Sequence, residues 1–475
     1  MLPNSFYRYS PLVVPLLVGL MLASPHAVAQ ATTEPVYSSQ ADAQAASERG
    51  YHALLTVPLN PVLMTEQQYF DLWQYWPEPE RSKAVAATPD QRRQMMLERY
   101  GFQESPDRPG PVPQQFTSDG KGNLSGSCLI CHGGPVAGKV VPGLGNSLLD
   151  AATFYEDVGR LYAAMGIKRP PMPKTAPNAP EEPVRGVNNA WGEAIAFMLV
   201  RDKDLNVIDS PQFATPTADQ LDLPVKTPAY WLSKKKSRFY ADGFIAKTHR
   251  DIMQFTLNFS VPREKVLANE ETFKDIYTWI NAVQSPKYPY PIDQALARRG
   301  GIVYASNCAN CHGSYGAGAR YPERLVALSE VGTDPVRARD FPVEFVKHLD
   351  ASWIGQYGQT PIYLAVKGYI APPLDGVWAT APYLHNGSVP TIWDLLTPAS
   401  RPSVWTRTDT GYDQQKLGVE AKSFDKLPDD ATAPVQKRRY YQTNVRGFSN
   451  QGHQYPPQGL SDDNKRALIE YLKTL

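Results

Sequence analysis

The sequence is poor in cysteine and carries almost no net charge. Its 475 residues include four cysteines, and 48 basic against 47 acidic residues leave a formal charge of +1. A balance this close to zero argues against nucleic acid or an acidic membrane surface as the partner. Beyond the N-terminal region, no uninterrupted apolar run has the length that a membrane span needs.

The N-terminal region has the pattern of a secretory signal. Arg8 is the only charge before an apolar run over 11–22, and Ala27-Val28-Ala29 supplies the small residues at which signal peptidase cuts. The run is short and interrupted by proline, which disfavours a retained membrane anchor. We therefore predict a signal peptide over 1–29 and a periplasmic or secreted protein, with no membrane span after cleavage.

All four cysteines fall in two Cys-x-x-Cys-His pentads, which begin at Cys128 and at Cys308. In this motif the two thiols form thioether bonds to the vinyl groups of one porphyrin, and the histidine that follows binds the iron. We therefore predict two covalently bound haems c. The predicted attachment residues and proximal iron ligands are Cys128, Cys131 and His132 for the first haem, and Cys308, Cys311 and His312 for the second.

Other uses of the four cysteines fit the pattern less well. Two disulfides are common in an exported protein, but they do not explain the histidine after each pair. A zinc site needs a fourth ligand and reduced thiols. A thioredoxin-like pair needs its own fold and would not occur twice with a trailing histidine.

The composition around these motifs predicts the fold class. The chain has 44 prolines and 33 glycines, and its proline content is about twice the ordinary share of roughly 5%. We expect a mainly α fold with much irregular loop, in which two cytochrome c-like domains are each built around one haem. The predicted divisions are a flexible lead-in over 30–47, an N-terminal haem domain over 48–285 and a C-terminal cytochrome c domain over 286–475.

Turn and capping residues predict several helices within these domains. One helix is expected to start at Thr88-Pro89 and end at Gly101, and another to cover 270–283. A third should begin near Ile292 and lead into the second pentad. The last should be capped by Ser461 and run to the end of the chain.

The second iron has few candidates for its sixth ligand. Methionine is absent after Met253, so this haem cannot take a methionine from its own domain. The histidine options are His348, His385 and His453. Because His453 lies in the loop just before the final predicted helix, we expect it to be the distal ligand, with His385 as the alternative. A six-coordinate bis-histidine site of this kind transfers electrons.

The first iron is less determined by the sequence. Met165, Met172 and Met198 all follow His132 at distances along the chain that suit a distal ligand. Met172 is flanked by prolines, which would hold it rigidly. If none of them binds the iron, the first haem is open to dioxygen or peroxide. The sequence leaves both alternatives open.

An aromatic pair and a basic run lie between the two pentads. The pair Tyr230-Trp231 could connect the haems, although large aromatic side chains are more often part of a core. The run Lys234-Lys235-Lys236 could pair with haem propionates or form a solvated face.

Several segments resemble the bacterial rubber oxygenases, within the di-haem cytochrome c peroxidase superfamily. The resemblance is strong over 288–475 and weaker before it. The segments that carry it are 308–316 (CANCHGSYG), 331–335 (VGTDP), 371–378 (APPLDGVW), 381–390 (APYLHNGSVP), 412–413 with 417–420 (YD and LGVE), and the loop with Gly452-His453.

The resemblance implies a reactive N-terminal haem that binds dioxygen at an open distal face. It also implies a bis-histidine C-terminal haem whose distal ligand lies near the chain end, which matches His453. An aromatic pair near both haems is similar to Tyr230 and Trp231, and Phe244 is a candidate for the distal pocket. These three aromatic residues are therefore the predicted catalytic ones. The chain is shorter than the rubber oxygenases, so loops that shape a polymer channel are expected to be missing.

The sequence thus predicts an exported di-haem oxidoreductase that acts as a dioxygenase or a peroxidase. Its expected partners are dioxygen or peroxide, a small redox partner and a hydrophobic substrate. The alternative, from a different class of protein, is a non-catalytic electron carrier in which both irons are six-coordinate.

Covalent attachment can be tested directly on the exported protein. After extraction with acid acetone, we expect the red colour to stay on the polypeptide, because thioether bonds survive this treatment. The pyridine haemochrome assay should give two haems c per chain. Colour that moves into the acetone, or one haem per chain, would contradict the prediction.

Overall fold

The computed structural model describes residues 35–167, 184–357 and 367–475. The predicted signal peptide and Met172 lie outside these ranges. Helices dominate the described chain, strands are short, and irregular segments are extensive, as the composition predicts. Within the described ranges, no helix combines the length and the apolar character needed to cross a bilayer.

Most of the longer helices have ordinary start and stop signals. Thr88 caps the helix Pro89–Tyr100 with a reciprocal bond to Gln91, and Gly101 ends it with φ of 69°. Ser461 accepts a bond from the backbone of Asn464 at the start of the last helix. Both helix predictions are therefore confirmed. The longer helices are Gln40–Thr56, Pro89–Tyr100, Ala151–Ala164, Ala190–Leu199, Glu270–Ala282, Gln294–Asn307, Val343–Ala351 and Asp462–Leu472.

The remaining helices are one or two turns long. The short α-helices are Glu66–Phe70, Glu80–Ala86, Leu129–His132, Ala218–Leu221, His249–Met253, Arg263–Ala268, Ala309–His312, Leu328–Val331, Val336–Asp340, Ile392–Leu395 and Pro434–Lys437. The 3-10 helices are Leu72–Tyr75, Tyr230–Lys235, Gln254–Thr256, Val377–Ala379 and Pro398–Ser400.

The strands pair in small antiparallel sheets. One three-stranded sheet has the order Val62–Thr65, Asn123–Gly126, Phe116–Ser118, and the other Gly418–Phe424, Val404–Asp413, Tyr441–Gln442. The two-stranded pairs are Gly133–Val136 with Lys139–Pro142, Val187–Asn188 with Val225–Lys226, Arg238–Phe239 with Ile245–Ala246, and Leu325–Ala327 with Gly368–Ile370.

The expected flexible lead-in over 30–47 is wrong from Gln40 onward. Residues 40–47 form the first turns of the helix Gln40–Thr56, which Ser39 caps. The helix packs closely on Glu270–Ala282, because a Cβ at Gly50 would lie 2.1 Å from the Asp275 carbonyl oxygen. The small polar residues of this segment suggest a loop. In the structure, the small residues Ala46, Ser47 and Gly50 are buried in the helix, and small residues permit close contact between two helices.

The hydrophobic core is continuous across the expected domain boundary at Ser285-Pro286. This linker has neither helix nor strand. However, Phe345 from the later part of the chain packs in the same cluster as Trp191, and Trp231 packs with Leu468 of the last helix. The two parts of the chain therefore share buried apolar surface.

The helices Gln294–Asn307 and Asp462–Leu472 meet at Gly300. A Cβ on Gly300 would lie 1.9 Å from the Ala467 carbonyl oxygen, whereas a Cβ on neighbouring Gly301 would have only ordinary contacts with Tyr471. Only glycine therefore fits at position 300, because the last helix approaches too closely for a larger residue.

This contact gives a matched pair of variants. Gly300→Ala should destabilise the haem-loaded protein by about 1–3 kcal/mol, because the helices must separate. Gly301→Ala should be neutral or stabilising by up to about 1 kcal/mol, because alanine favours the helix. Thermal unfolding followed by circular dichroism measures both, and equal midpoints for the two variants would contradict the packing.

Candidate haem-binding cavity

The two pentads adopt the same local structure. Leu129–His132 and Ala309–His312 are single helical turns, and each histidine amide donates to the carbonyl of the first cysteine, at 3.1 Å and 2.9 Å. Cysteines three residues apart lie on one face of such a turn. None of the four cysteines forms a disulfide. The geometry therefore places both thiols of each pentad on one side of the turn, where they could hold one edge of a ligand.

Both turns open onto one cavity of about 1510 Å³. Its volume exceeds the roughly 300–1,000 Å³ of an ordinary small-molecule pocket. The two pentads contribute to its lining through Cys128, Cys131, His132, Cys308, Cys311 and His312. A cavity of this size, bordered by two thiol pairs, has room for more than one large group.

A backbone hydrogen bond fixes the tautomer of His312. Its Nδ1 lies 2.8 Å from the carbonyl oxygen of Pro372. Because a carbonyl only accepts, Nδ1 carries the proton and Nε2 is left as a free electron pair for a metal. Burial lowers the pKa of His312, with a smaller opposing effect from Pro372. The ring is therefore neutral, as a metal ligand must be.

His132 lies in a comparable but more apolar position. Burial lowers its pKa to about 3, and the backbone of Pro228 offsets part of this effect. No described group meets ordinary hydrogen-bond geometry at its Nδ1. The ring of Tyr230 stacks on the imidazole, with centroids 3.8 Å apart and planes 10° from parallel. This stacking holds the ring of His132 in one orientation, as the hydrogen bond to Pro372 does for the ring of His312.

His453 faces His312 across the cavity. The two ring centroids are 6.1 Å apart and the planes are inclined by 55°. A metal–imidazole bond is about 2.0–2.1 Å long, as for zinc. The observed separation of the centroids is close to the sum of two such bonds and the two distances from ring nitrogen to ring centre. Burial is the main reason that the pKa of His453 falls to about 3, so this imidazole is also neutral.

The turn that carries His453 has an unusual backbone. Gly452 and His453 both have positive φ, of 75° and 50°. A left-handed conformation costs a residue other than glycine about 1–3 kcal/mol and persists only where the surroundings enforce it. Here the His453 amide donates to the Val331 carbonyl at 2.7 Å, and a Cβ on Gly452 would lie 2.2 Å from the carbonyl carbon of Gly332. Tight packing on this neighbouring turn therefore fixes the direction of His453.

The other two histidine candidates have different surroundings. His348 is buried, and its Nε2 donates to the carbonyl of Arg201 at 2.8 Å, outside the cavity lining. His385 lines the cavity, but its ring stacks on Tyr369 with centroids 4.1 Å apart. Of the three histidine candidates, His453 is therefore the one whose ring contacts that of His312.

The pair Tyr230-Trp231 lies between the two turns. Tyr230 contacts His132, as described above, and lines the cavity. Trp231 is buried among residues of the last helix, and its indole nitrogen donates to the Asp375 carbonyl at 2.9 Å. Adjacent residues therefore contact the surroundings of both pentads.

Phe244 does not line the cavity, which contradicts its expected place in the distal pocket. It lies behind the wall, with its ring centroid 4.8 Å from that of Trp191 and 4.2 Å from that of Phe341. Trp191 and Tyr240 form the wall instead. No pattern in the sequence marks these two residues, because they reach the cavity from separate segments.

Among the described residues, no methionine lines the cavity. Met165 is exposed and contacts the amide of Gln68. Met198 is completely buried in the hydrophobic core. Two of the three methionine candidates are therefore directed elsewhere, and Met172 belongs to the residues that the structure does not describe.

Two lysines supply positive charge to the cavity. The Lys226 ammonium donates to the carbonyls of Thr380 and Pro382, and Lys236 donates to that of Tyr240. Burial lowers their pKa values to about 7 and about 8. A buried cation that is solvated by neutral carbonyls gains from a nearby anion, so the pair suits the propionates of haem. Lys234 is exposed, and Lys235 pairs with Asp375.

A segment that follows the second pentad in the chain is similar to a known family. A family model described as RoxA-like, cytochrome c-like, matches residues 368–406. The matched segment includes Pro372, the partner of His312. The C-terminal part of this chain is therefore cytochrome c-like, which implies bound haem c and a redox role.

Two proteins of Sinorhizobium fredii (strain NBRC 101917 / NGR234) are also similar to this chain. The protein y4iM is 28% identical over 284 residues, which cover 54% of this chain and 60% of that protein. The protein y4iJ is 33% identical over 258 residues, which cover 41% of this chain and 41% of that protein. The chain therefore spans less than two thirds of either relative.

One solved structure aligns with much of the chain at low similarity. It is hydrazine synthase from Kuenenia stuttgartiensis under xenon pressure, with 14% identity, covering 65% of this chain and 93% of its own. The TM-score is 0.23, and at that value the alignment carries no argument.

The facing histidines give a direct test. His453→Ala should remove the bis-imidazole signature of one haem in near-infrared magnetic circular dichroism, because no other described histidine faces His312. His348→Ala is the matched control, since it removes a buried histidine that donates to a carbonyl. An unchanged signature in His453→Ala, or the same change in both variants, would contradict the assignment.

Proposed function

We propose that this chain is an exported di-haem c-type cytochrome with two unequal haems. Cys128 and Cys131 would hold the first haem, with His132 as its proximal ligand. Cys308 and Cys311 would hold the second, between His312 and His453. The proposal is supported chiefly by one asymmetry: the ring of His453 contacts that of His312, whereas among the described residues the ring that contacts His132 is that of Tyr230 and no methionine lines the cavity.

The first haem is the reactive one in this proposal. A haem whose sixth position is open can bind and activate dioxygen or peroxide. The chain's own contribution is an aromatic wall, in which Trp191, Phe197, Phe255 and Phe259 line the cavity. Such a wall excludes water and favours an apolar substrate over a polar one. A hydrophobic substrate, as for the rubber oxygenases that the C-terminal part resembles, agrees with this lining.

The second haem would supply or store electrons. Its two imidazoles leave no open position for a substrate, and such sites transfer electrons. The adjacent residues Tyr230 and Trp231 contact the His132 ring on one side and the core around Tyr304 on the other. Because the two residues are adjacent in the chain, they connect the two surroundings covalently, and we assign them an electron-transfer role.

Export follows from the chemistry of the attachment. Thiols that are used as thioether links are compatible with an oxidising compartment, and the N-terminal sequence has the secretory pattern described above. A periplasmic or secreted location is therefore part of the proposal.

Ligand binding to the reduced protein separates the enzyme from an electron carrier. We expect one carbon monoxide to bind per chain, because only the first iron has an open position. Oxygen consumption should follow when an apolar unsaturated substrate such as a polyisoprenoid is added. Met172→Leu should leave the stoichiometry at one.

Two results would contradict the proposal. If the native protein binds no carbon monoxide, and Met172→Leu then binds one, Met172 is the sixth ligand and the chain is a carrier. If the native protein binds two, the second haem is not bis-histidine. Turnover of peroxide with a reduced redox partner, but not of dioxygen, would instead identify a peroxidase.

A further inference from the structure

Arg401 makes four hydrogen bonds, all to backbone carbonyls. Its Nη1 donates to the carbonyls of Asn450 and of Gly452, the latter at 2.8 Å. Its Nη2 donates to Leu395 at 2.7 Å, and its Nε donates to Asp394 at 3.2 Å. A planar guanidinium can bind several acceptors in fixed directions at once, which a lysine cannot do.

These four carbonyls belong to two separate parts of the fold. Gly452 immediately precedes His453 in the chain, and Asn450 lies in the same turn. Asp394 and Leu395 lie at the end of the short helix Ile392–Leu395, and Ile392 belongs to the same hydrophobic cluster as Leu468 of the last helix. Arg401 therefore ties the turn before His453 to a rigid element of the core.

Other bonds hold the loop farther from the histidine. The Asn386 amide donates to the carbonyls of Gly447 and Ser449, and the Ser449 amide donates to Asp334 at 3.0 Å. Arg401 binds the carbonyls of residues 450 and 452, between these anchors and His453. This is the stretch that leads into the two consecutive positive φ values.

We infer that Arg401 is a positioning residue for His453, and that its guanidinium, together with the contacts on Val331 and Gly332, holds the strained turn so that the imidazole faces His312. This inference rests on the proposed bis-histidine second haem. It adds a residue that no cysteine or histidine pattern identifies. Without the guanidinium, the turn could relax to negative φ, and the imidazole would move away from the iron for part of the time.

The test uses the haem-loaded, full-length protein with Arg401→Met, which keeps an unbranched stem but removes the guanidinium and its donors. We expect the ferric spectrum to gain a high-spin component at the second haem. Added imidazole should convert this component to low spin, at a concentration at least about tenfold below that needed to displace His453 in the native protein, since each lost charge-assisted bond is worth a factor of this order. Methylguanidine should partly reverse the change.

Two further variants frame the result. Arg298→Met removes an exposed arginine from the helix Gln294–Asn307 and should behave as the native protein does. Arg401→Lys keeps the charge but not the fork, and it should give an intermediate high-spin fraction. If Arg401→Met does not accumulate, the spectrum of Arg401→Lys answers the same question.

The outcomes distinguish the inference from the proposed function. If His453→Ala loses the bis-imidazole signature while Arg401→Met and Arg401→Lys keep the second haem fully low-spin with native imidazole affinity, the inference is wrong and the second haem is still bis-histidine. If His453→Ala itself is unchanged, the ligand assignment fails, and the inference fails with it. A high-spin fraction at the second haem in the Arg401 variants, but not in Arg298→Met, supports it.

Discussion

The rest of the structure depends on one arrangement, in which two neutral imidazoles face each other across a buried cavity. His312 is held from behind by a backbone carbonyl, and His453 is held by a turn with two positive φ values. Among the described residues, neither ring has a hydrogen-bond partner on the cavity side, and buried polar groups are costly without partners. An arrangement of this kind is stable when a metal lies between the rings. The segments around the cavity are therefore best understood as parts of a cofactor site.

The same constraint explains the composition. In the proposed function the core includes two large planar groups, and such a core needs few long helices, because the cofactor contributes much of the apolar surface. Many short helices and ordered irregular segments can then approach the cavity from different directions, which requires glycine and proline at turns. The continuity of the core across residue 285 follows as well, since both parts of the chain contribute to the walls of one cavity.

The sequence can indicate a site whose residues are close together in the chain, but it cannot indicate contacts between distant segments. The pentads are readable because one helical turn places two cysteines and a histidine together. His453 is the expected distal ligand because no methionine follows Met253 and because His453 lies just before the last helix. In the structure, its ring contacts that of His312. Phe244 was misassigned because its distance along the chain says nothing about which side of the wall it faces. Arg401 could not be predicted, since an arginine that binds carbonyls leaves no pattern of opposite charges.

The central claim is that two haems in one chain have unequal coordination, and low-temperature electron paramagnetic resonance of the fully oxidised protein tests it most directly. The account predicts one low-spin species with the anisotropy of bis-imidazole ligation that does not respond to cyanide. It also predicts a second, high-spin species that cyanide converts to low spin. Two low-spin species that both ignore cyanide, or two that both respond, would contradict it.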